Sequence, residues 1–499
     1  MKIEEIIDKK EAHKVGILRY LLLNTNVSFD KLMKERNLSK NTLKLYLQEI
    51  CVLGEELNKK LIVKREDDFL SLEMSADLNL DIIITHYILD SIEFKILNYL
   101  LYHQKFSIIQ LTRELSISES SVFRKIKRIN FLLEEFGISI KNGRLIGEEL
   151  QVRYFYFLMY EYLIKNNQSF AINHKKYGQI STQARGLIGA LAIDISRSAE
   201  ISLQIWLEIS RLRQNSKQGR KNNLVKKSRL FQKDKLYKDI YTFMTDYFVS
   251  SSEYDFNFES MSIYAFVSAL PIMNEDRHYY YDLMRSKRLP TAMHDVYIRE
   301  YILQHYSSKR ISLNLEKQIG YQLSQTNSRL YFFKGYLQKY EWENLIKKET
   351  KLLSHNLFKL AKSLQKVVLE QIGIDYDESE TSDLQNFLLI SYINILSIID
   401  FHIAEIINIG IVEESLPVYG PNYYQYLFRT LTSAVKGIQV EKYEKRNKYD
   451  LVITTNPKIT IKEDEKLYLL SEFESNYDLA MIKKIIEERK TEKNILSKP

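Results

Sequence analysis

Between Ser118 and Arg128 the chain gathers side chains suited to holding an anion: Ser118, Ser120 and Ser121, then Arg124, Lys125, Lys127 and Arg128. Hydroxyls donate to phosphate oxygens and ammonium groups neutralise them, while a guanidinium can also fork onto a guanine edge. The chemistry on offer is non-covalent binding of a polyanion. Covalent chemistry has no comparable signature. GxxxxGK[ST], HExxH, GxSxG and GxGxxG are all absent, and the carboxylate pairs Glu148–Glu149 and Glu413–Glu414 have no histidine or metal-ligand partner at useful spacing. We therefore expect neither enzyme activity nor a bound metal or cofactor.

A reading surface needs a helix to carry it. Val122, Ile126, Ile129, Leu133 and Phe136 recur at spacings of four, three, four and three, which lays one apolar stripe along a helix from Ser118 to about Phe136. At about 100° per residue, Ser120, Ser121, Arg124, Lys127 and Arg128 fall on the opposite face. Ser118 suits the N-cap, since its oxygen can accept from an orphaned backbone N–H of the first turn. The cations lie in the first half and middle and Glu134 and Glu135 near the end, the reverse of what the helix dipole favours. That order fits an anionic partner at the N-terminal half.

The flanking elements sharpen this expectation. Ile108 to Leu115 reads as a short helix, Ser116 and Ile117 as a tight turn, and KNGR (Lys141 to Arg144) as a hairpin tip with a favoured Asn-Gly pair. The tip adds Lys141 and Arg144 to the basic surface. Short helix, turn, long helix and hairpin make a winged helix-turn-helix, whose second helix enters the major groove of double-stranded DNA. An ordinary solvated helix face shares the composition but not these neighbours.

An earlier stretch looks like a degenerate copy. A helix from Glu11 to Leu23 precedes SFDKLMKERN (Ser28 to Asn37), Ser39 caps a helix beginning KNTLKLYLQEI, and Leu61 to Met74 alternates like a hairpin wing. With Leu43, Leu47 and Ile50 inward, the outward face carries Asn41, Lys44 and Gln48 but also Leu45 and Val52. Lys40 and Thr42 flank that face and can reach phosphates. This helix should bind DNA weakly or pack on a partner.

With 499 residues the chain exceeds one core and should form roughly three to five domains. A hydrophobic share of 45% with 15 Gly and 6 Pro predicts a folded, mainly α, multidomain protein. The formal charge of +8 is unevenly spread: Met1 to Leu150 balances 23 basic against 23 acidic residues, so any DNA contact there depends on local placement. The stretch Arg211 to Asp239 sets eleven basic residues against two acidic ones. It reads as a solvated, mobile loop with flanking helices, ahead of an auxiliary nucleic-acid patch. Cys51 is the sole cysteine, which excludes an intramolecular disulfide framework and a thiolate zinc cluster and suits a reducing cytoplasm. The N-terminus has no apolar signal core, and the run Phe387 to Ile399 meets Asp400, His402 and Glu405 soon afterwards. No export signal or membrane span is expected.

Along the chain, the divisions expected are 1–78 and 79–150 for the two winged units, 151–280 and 281–402 for two all-helical domains, and 403–499 for an α/β domain. The helical boundary rests on Pro271 to Pro290, and from Gln151 to His402 strand signal is nearly absent. The aromatic run LQVRYFYFLMYEYLI has helical spacing and reads as core. After His402, AEIINIGIVEES, IQVEKYE, YDLVITTNP and EKLYLLSEFE read as short strands, with helices at Tyr423 to Val435 and Leu479 to Arg489.

The segment SESSVFRKIKRINFLLEEFGISIKNGRLIGEELQVRYFYFLMY (Ser118 to Tyr160), with its Ser-rich helix, its wing ending in IGEE and its RYF helix, resembles the Mga family. It is most similar to the RofA-like and AtxA-like regulators of Gram-positive pathogens. The resemblance extends to chain length, the paired helix-turn-helix units and DLVITTNP (Asp450 to Pro457). It implies a homodimeric transcriptional activator of surface or virulence genes, with two helical domains of the phosphotransferase-system regulatory type (PRD-like). It also implies an EIIB-like C-terminal domain that aids dimerisation, and tuning by phosphotransferase-system proteins. A working EIIB domain carries a phosphorylated cysteine after its first strand; here that loop, EESLPVYGPNYY, has none. Regulatory domains of the family are controlled through histidines, for which His174, His278, His294, His305 and His355 are the candidates. The alternative is a catalytically inactive phosphotransferase-related scaffold whose helix-turn-helix units serve protein contacts.

Overall fold

A computed structural model describes residues 1–25, 27–167, 177–214, 219–247, 253–305, 312–338, 342–350, 355–374, 382–403, 406–412, 420–435, 437–471 and 475–496. These fall into two compact units, one made of Met1–Thr291 with Ser324–Asn344 and the other of Ala292–Leu323 with Leu345–Pro499.

The first unit opens with a 3-10 turn (Ile3–Ile6), followed by α1 (Lys9–Leu23), β1 (Val27–Ser28), α2 (Phe29–Glu35), α3 (Lys40–Glu56), β2 (Leu61–Glu66) and β3 (Phe69–Met74). The strands form an antiparallel sheet in the order β1-β3-β2. Next come α4 (Leu80–Asp90), α5 (Ile92–His103), α6 (Ile108–Leu115), α7 (Glu119–Leu133), β4 (Ser139–Lys141) and β5 (Arg144–Glu148). Both stretches are helix-turn-helix units closed by a hairpin.

The two units repeat with a constant offset of 79 residues. Ser28, Asn37 and Ser39 correspond to Ser107, Ser116 and Ser118. The first serine of each set caps the short helix and the last caps the long one, each accepting from the backbone N–H three residues on. Between them Asn37 and Ser116 adopt the left-handed conformation, with φ of 49° and 52°, which turns the chain sharply enough to start a second helix at once. Buried residues keep the same register: Leu32 and Leu111, Leu43 and Val122, Ile50 and Ile129, Leu53 and Leu132.

One buried charge pair keeps the register with its sign reversed. In the first copy Lys14 of α1 lies 3.3 Å from Glu49 of α3. In the second, Glu93 of α5 takes the place of Lys14 and Arg128 of α7 that of Glu49, at 3.0 Å. Lys14 and Glu93 are both buried. The duplication therefore conserves a charge pair rather than a charge.

From the second wing the chain passes without an intervening residue into α8 (Glu149–Asn166), which is buried on nearly every side. The aromatic run expected to be core is core, with Tyr154, Phe155, Tyr156, Phe157 and Tyr160 all buried. Glu149 accepts from Arg213 Nε at 3.0 Å and Nη2 at 2.7 Å, and Arg153 forks onto Glu259 at 2.6 and 2.7 Å. After α8 come α9 (Tyr177–Leu191), α10 (Arg197–Arg213), β6 (Gly219–Arg220), α11 (Asn222–Phe231), α12 (Lys235–Tyr247), α13 (Glu253–Ala269) and α14 (Glu275–Met284), of which α10 and β6 pack on α8, α9 on α10 and α12, α13 on α11 and α12, and α14 on α12. Trp206 of α10 stacks on Phe266 at 4.5 Å and meets Phe157 edge-on at 5.9 Å.

Two expectations are corrected in this region. β6 pairs in parallel with β5, so the stretch after Gln151 contributes a strand to the second wing. In the basic stretch Arg211–Asp239 the described residues are largely built into elements: they complete α10 and form β6, α11 and the start of α12. Arg213 is buried against Glu149, and Lys227 sits 4.2 Å over the Tyr331 ring. Apolar residues within the run, Leu224, Phe231, Leu236 and Tyr237, supply the burial that outweighs the charge density.

In the second unit lie most of α15 (Pro290–His305), the first part of α16 (Leu313–Phe332), α17 (Trp342–Thr350) from Leu345, α18 (His355–Gln371) and α19 (Asp383–Ile403). There follow β7 (Ile407–Ile411), α20 (Gly420–Ala434), β8 (Ile438–Lys442), β9 (Leu451–Thr454), β10 (Lys466–Leu469) and α21 (Asn476–Leu496). All four strands are parallel in the order β10-β9-β7-β8. Ile407, Ile409, Ile411, Leu451 and Ile453 of the central strands pack with Leu427 and Leu431 of α20 and Ile482 and Ile486 of α21. Burial on both faces accounts for the unbroken apolar runs.

Because Glu93 is surrounded by cations, Glu93→Lys should lower the stability of the first unit in urea unfolding by about 3–5 kcal/mol. Adding Arg128→Glu, which restores a pair of the sign found in the first copy, should return more than about 1 kcal/mol. Strictly additive losses would show that the two positions are not coupled.

Candidate nucleic-acid interface

The long helix of the second copy, α7, begins with a knot of hydroxyls. Ser118 Oγ accepts from the Ser121 N–H at 3.3 Å and lies 3.0 Å from the hydroxyls of Ser120 and Ser121. Ser118 and Ser120 are exposed and Ser121 is half-buried, so this end of the helix dipole carries donors toward solvent. One turn on, Arg124 and Lys127 are exposed and make no ion pair or hydrogen bond among the described residues. Both are available to a phosphate or a base edge.

Lys125 and Arg128 are turned elsewhere. Lys125 Nζ contacts Asp8 and sits 3.0 and 2.9 Å from the two oxygens of fully buried Glu93. Arg128 reaches Glu93 at 3.0 Å and donates to the backbone oxygens of Glu5 and Ile7, each at 2.8 Å. A carboxylate removed from water needs cations and donors around it. This demand turns both residues away from the DNA-binding set expected of them, although helical spacing puts Arg128 on the outward face. In their stead the outward face shows two phenylalanines, Phe123 at 57% exposure and Phe131 at 73%. The helical wheel carried the signal, since Phe123 lies about 40° from Lys127 around the axis.

The wing is fixed to α7 by one side chain. Asn130 donates to the Ile140 carbonyl at 3.0 Å and accepts from the Ile140 N–H at 2.6 Å. At the tip Asn142 and Gly143 both have positive φ, 50° and 69°, in the hairpin turn the Asn-Gly pair favours. The Gly143 carbonyl accepts from Phe106 N–H at 2.9 Å, tying the tip to the start of α6. Lys141 and Arg144 pair across this turn, the first exposed and the second half-buried.

In the first copy Lys40, Asn41, Lys44 and Gln48 are carried on α3, and Leu45 and Val52 share that outward surface as expected. Thr42 is half-buried, with its hydroxyl 2.8 Å from Ser39 Oγ in the cap. The wing differs in charge. Its turn is Glu66, Asp67 and Asp68, while Arg65 bonds back to Asp67 O at 3.0 Å. Lys60 and Lys64 both hold Glu73, and their hydrogen bonds push its carboxyl down to about 2. An acidic tip repels phosphate, so the second copy is the better equipped of the two.

Among the histidines, His278 is buried on α14, which shields it from an external phosphoryl donor. The His294 Nδ1 lies 2.8 Å from Gln371 Oε1. His174 lies outside the described residues, as do the side chains of His305 and His355 and most of the loop EESLPVYGPNYY. Among the described residues no cluster of His, Cys, Asp and Glu could hold a metal ion, and no helix is long and apolar enough to cross a membrane.

Residues 76–160, from just before α4 through α7 and the wing into α8, match the Mga helix-turn-helix domain. No curated protein matches the chain. The match supports the resemblance to the Mga family and points to a DNA-binding transcription regulator.

A Cβ at Gly143 would stand 2.0 Å from the Phe106 carbonyl oxygen, at a φ of +69°. Gly143→Ala should therefore shift the wing tip and lower stability by more than about 2 kcal/mol, against about 1 kcal/mol for Asn142→Ala, which meets only the left-handed penalty. Thermal unfolding of the two variants measures the difference.

Proposed function

We propose that the chain is a homodimeric, sequence-reading transcription regulator that seats α7 in the DNA major groove and its Lys141–Arg144 wing on the flanking backbone. The observation that carries this reading is the pair Arg124 and Lys127. They are exposed and unpaired among the described residues, on the second helix of the helix-turn-helix that the domain match covers. In the reading, Ser118, Ser120 and Ser121 hold phosphate at the helix N-terminus, Arg124 and Lys127 reach base edges or phosphates, and α3 adds weaker backbone contacts through Lys40 and Lys44.

The finer assignments follow the resemblance. The regulator is an activator of surface or virulence genes, acts in the cytoplasm, and has no catalytic step of its own. Residues 151–280 and 281–402 are PRD-like domains that answer to phosphotransferase-system proteins, with half-buried His294 the best described phosphoryl acceptor. Residues 403–499 form an EIIB-like dimerisation domain. The four-stranded parallel sheet in the order β10-β9-β7-β8 supports that last reading, and the want of a cysteine after β7 leaves it a structural role.

Replacing Arg124 and Lys127 together by alanine should weaken binding to a promoter-length duplex by at least about thirtyfold while the helical circular dichroism stays unchanged. The slope of log affinity against log salt should flatten by about one for each phosphate left without its cation. Unaltered affinity would reassign the face. Shortening the chain at residue 402 should turn dimer into monomer in light scattering; a truncated dimer would locate the interface elsewhere.

A further inference from the structure

Phe123 is an odd residue to find on a surface otherwise suited to phosphate. It is 57% exposed, has Ser120 one turn before it and Lys127 one turn after it, and makes no ring contact among the described residues. Water against an aromatic face is unfavourable for the free protein, and a partner that covers the ring recovers that loss. The position is informative too. Phe123 is the fifth residue of α7, in the N-terminal half that a recognition helix sends to the base edges. Phe131 stands two turns further along, away from that end. In the first copy the equivalent position is Lys44, so the two long helices offer opposite chemistry at this point.

In the major groove thymine alone among the four unmodified bases presents an apolar group, its C5 methyl. We infer that Phe123 reads a thymine by packing on that methyl, with Arg124 and Lys127 anchoring the neighbouring phosphates or bases. The assignment rests on α7 being the reading helix and names what it reads. The first copy, with Lys44 in place of the ring, has no such preference.

The test uses the full chain and a randomised pool of duplexes of about thirty base pairs, spanning two half-sites. The most enriched duplex is remade with deoxyuridine for thymidine at one position at a time, which removes only the methyl. At one position per half-site the wild type should bind about fourfold more weakly, the value of one buried methyl group. Phe123→Ala should bind both versions equally, and Phe123→Leu should keep part of the preference. Equal binding of thymidine and deoxyuridine duplexes by the wild type at every position overturns the inference, as does a Phe123→Ala protein with undiminished methyl sensitivity. The underlying reading fails in a different way. A pool that yields no enriched duplex, or enriched binding indifferent to loss of Arg124 and Lys127, removes α7 from the DNA. The thymine assignment then falls, and Phe123 becomes a contact for protein.

Discussion

The ion pair under each long helix constrains the outward surface that the helix presents. A helix whose outer face must stay open can be held only from within, and an apolar stripe alone leaves its rotation loosely defined. Glu93 removes that freedom: wholly buried, it requires cations, and it takes them from the inner flank of α7. Lys125 and Arg128 are consumed in the process. Arg124 and Lys127, one residue away from each, are left pointing outward. In the first copy Lys14 and Glu49 do the same work with the charges exchanged, so the geometry depends on the pairing and is indifferent to its sign.

Local features were legible in the amino-acid sequence to a fine grain. The short helix Ile108–Leu115, the Ser118 cap, the Asn-Gly wing and the four C-terminal strands lie where periodicity and turn residues put them. What escaped depends on partners far along the chain. Arg128 looks solvent-facing until Glu93, 35 residues earlier, is brought beside it. β6 is too short to announce itself and exists because β5 offers it an edge. The run after Arg211 reads as soluble from its charge, although Arg213 has a buried carboxylate waiting on α8. Phe123 is legible on the helical wheel beside Lys127, but its 57% exposure depends on no other element packing over it, which spacing along one helix does not disclose.

The wing and α8 share a junction without slack. β5 ends at Glu148 and α8 begins at Glu149, whose carboxylate is held by Arg213 and whose neighbour one turn on, Arg153, is held by Glu259. The wing is thus a rigid extension of the helical core behind it. Asn130 adds a second attachment, from α7 to β4, so α7, wing and core form one mechanical piece.

That piece is also assembled from distant parts of the chain. Gln151 of α8 donates to the Phe332 carbonyl and accepts from the Lys334 N–H, both at 2.8 Å, and Glu135 accepts from the Tyr336 N–H at 2.7 Å. Phe333 stacks on Tyr154 at 4.2 Å. Residues 324–344 complete a unit whose other members end at Thr291. During synthesis the two helix-turn-helix units emerge first, but the unit that holds them stays unfinished until these residues leave the ribosome, well into the second half of translation. A nascent chain is thereby kept from a fully built first unit until much of the helical stretch after Thr291 has been made.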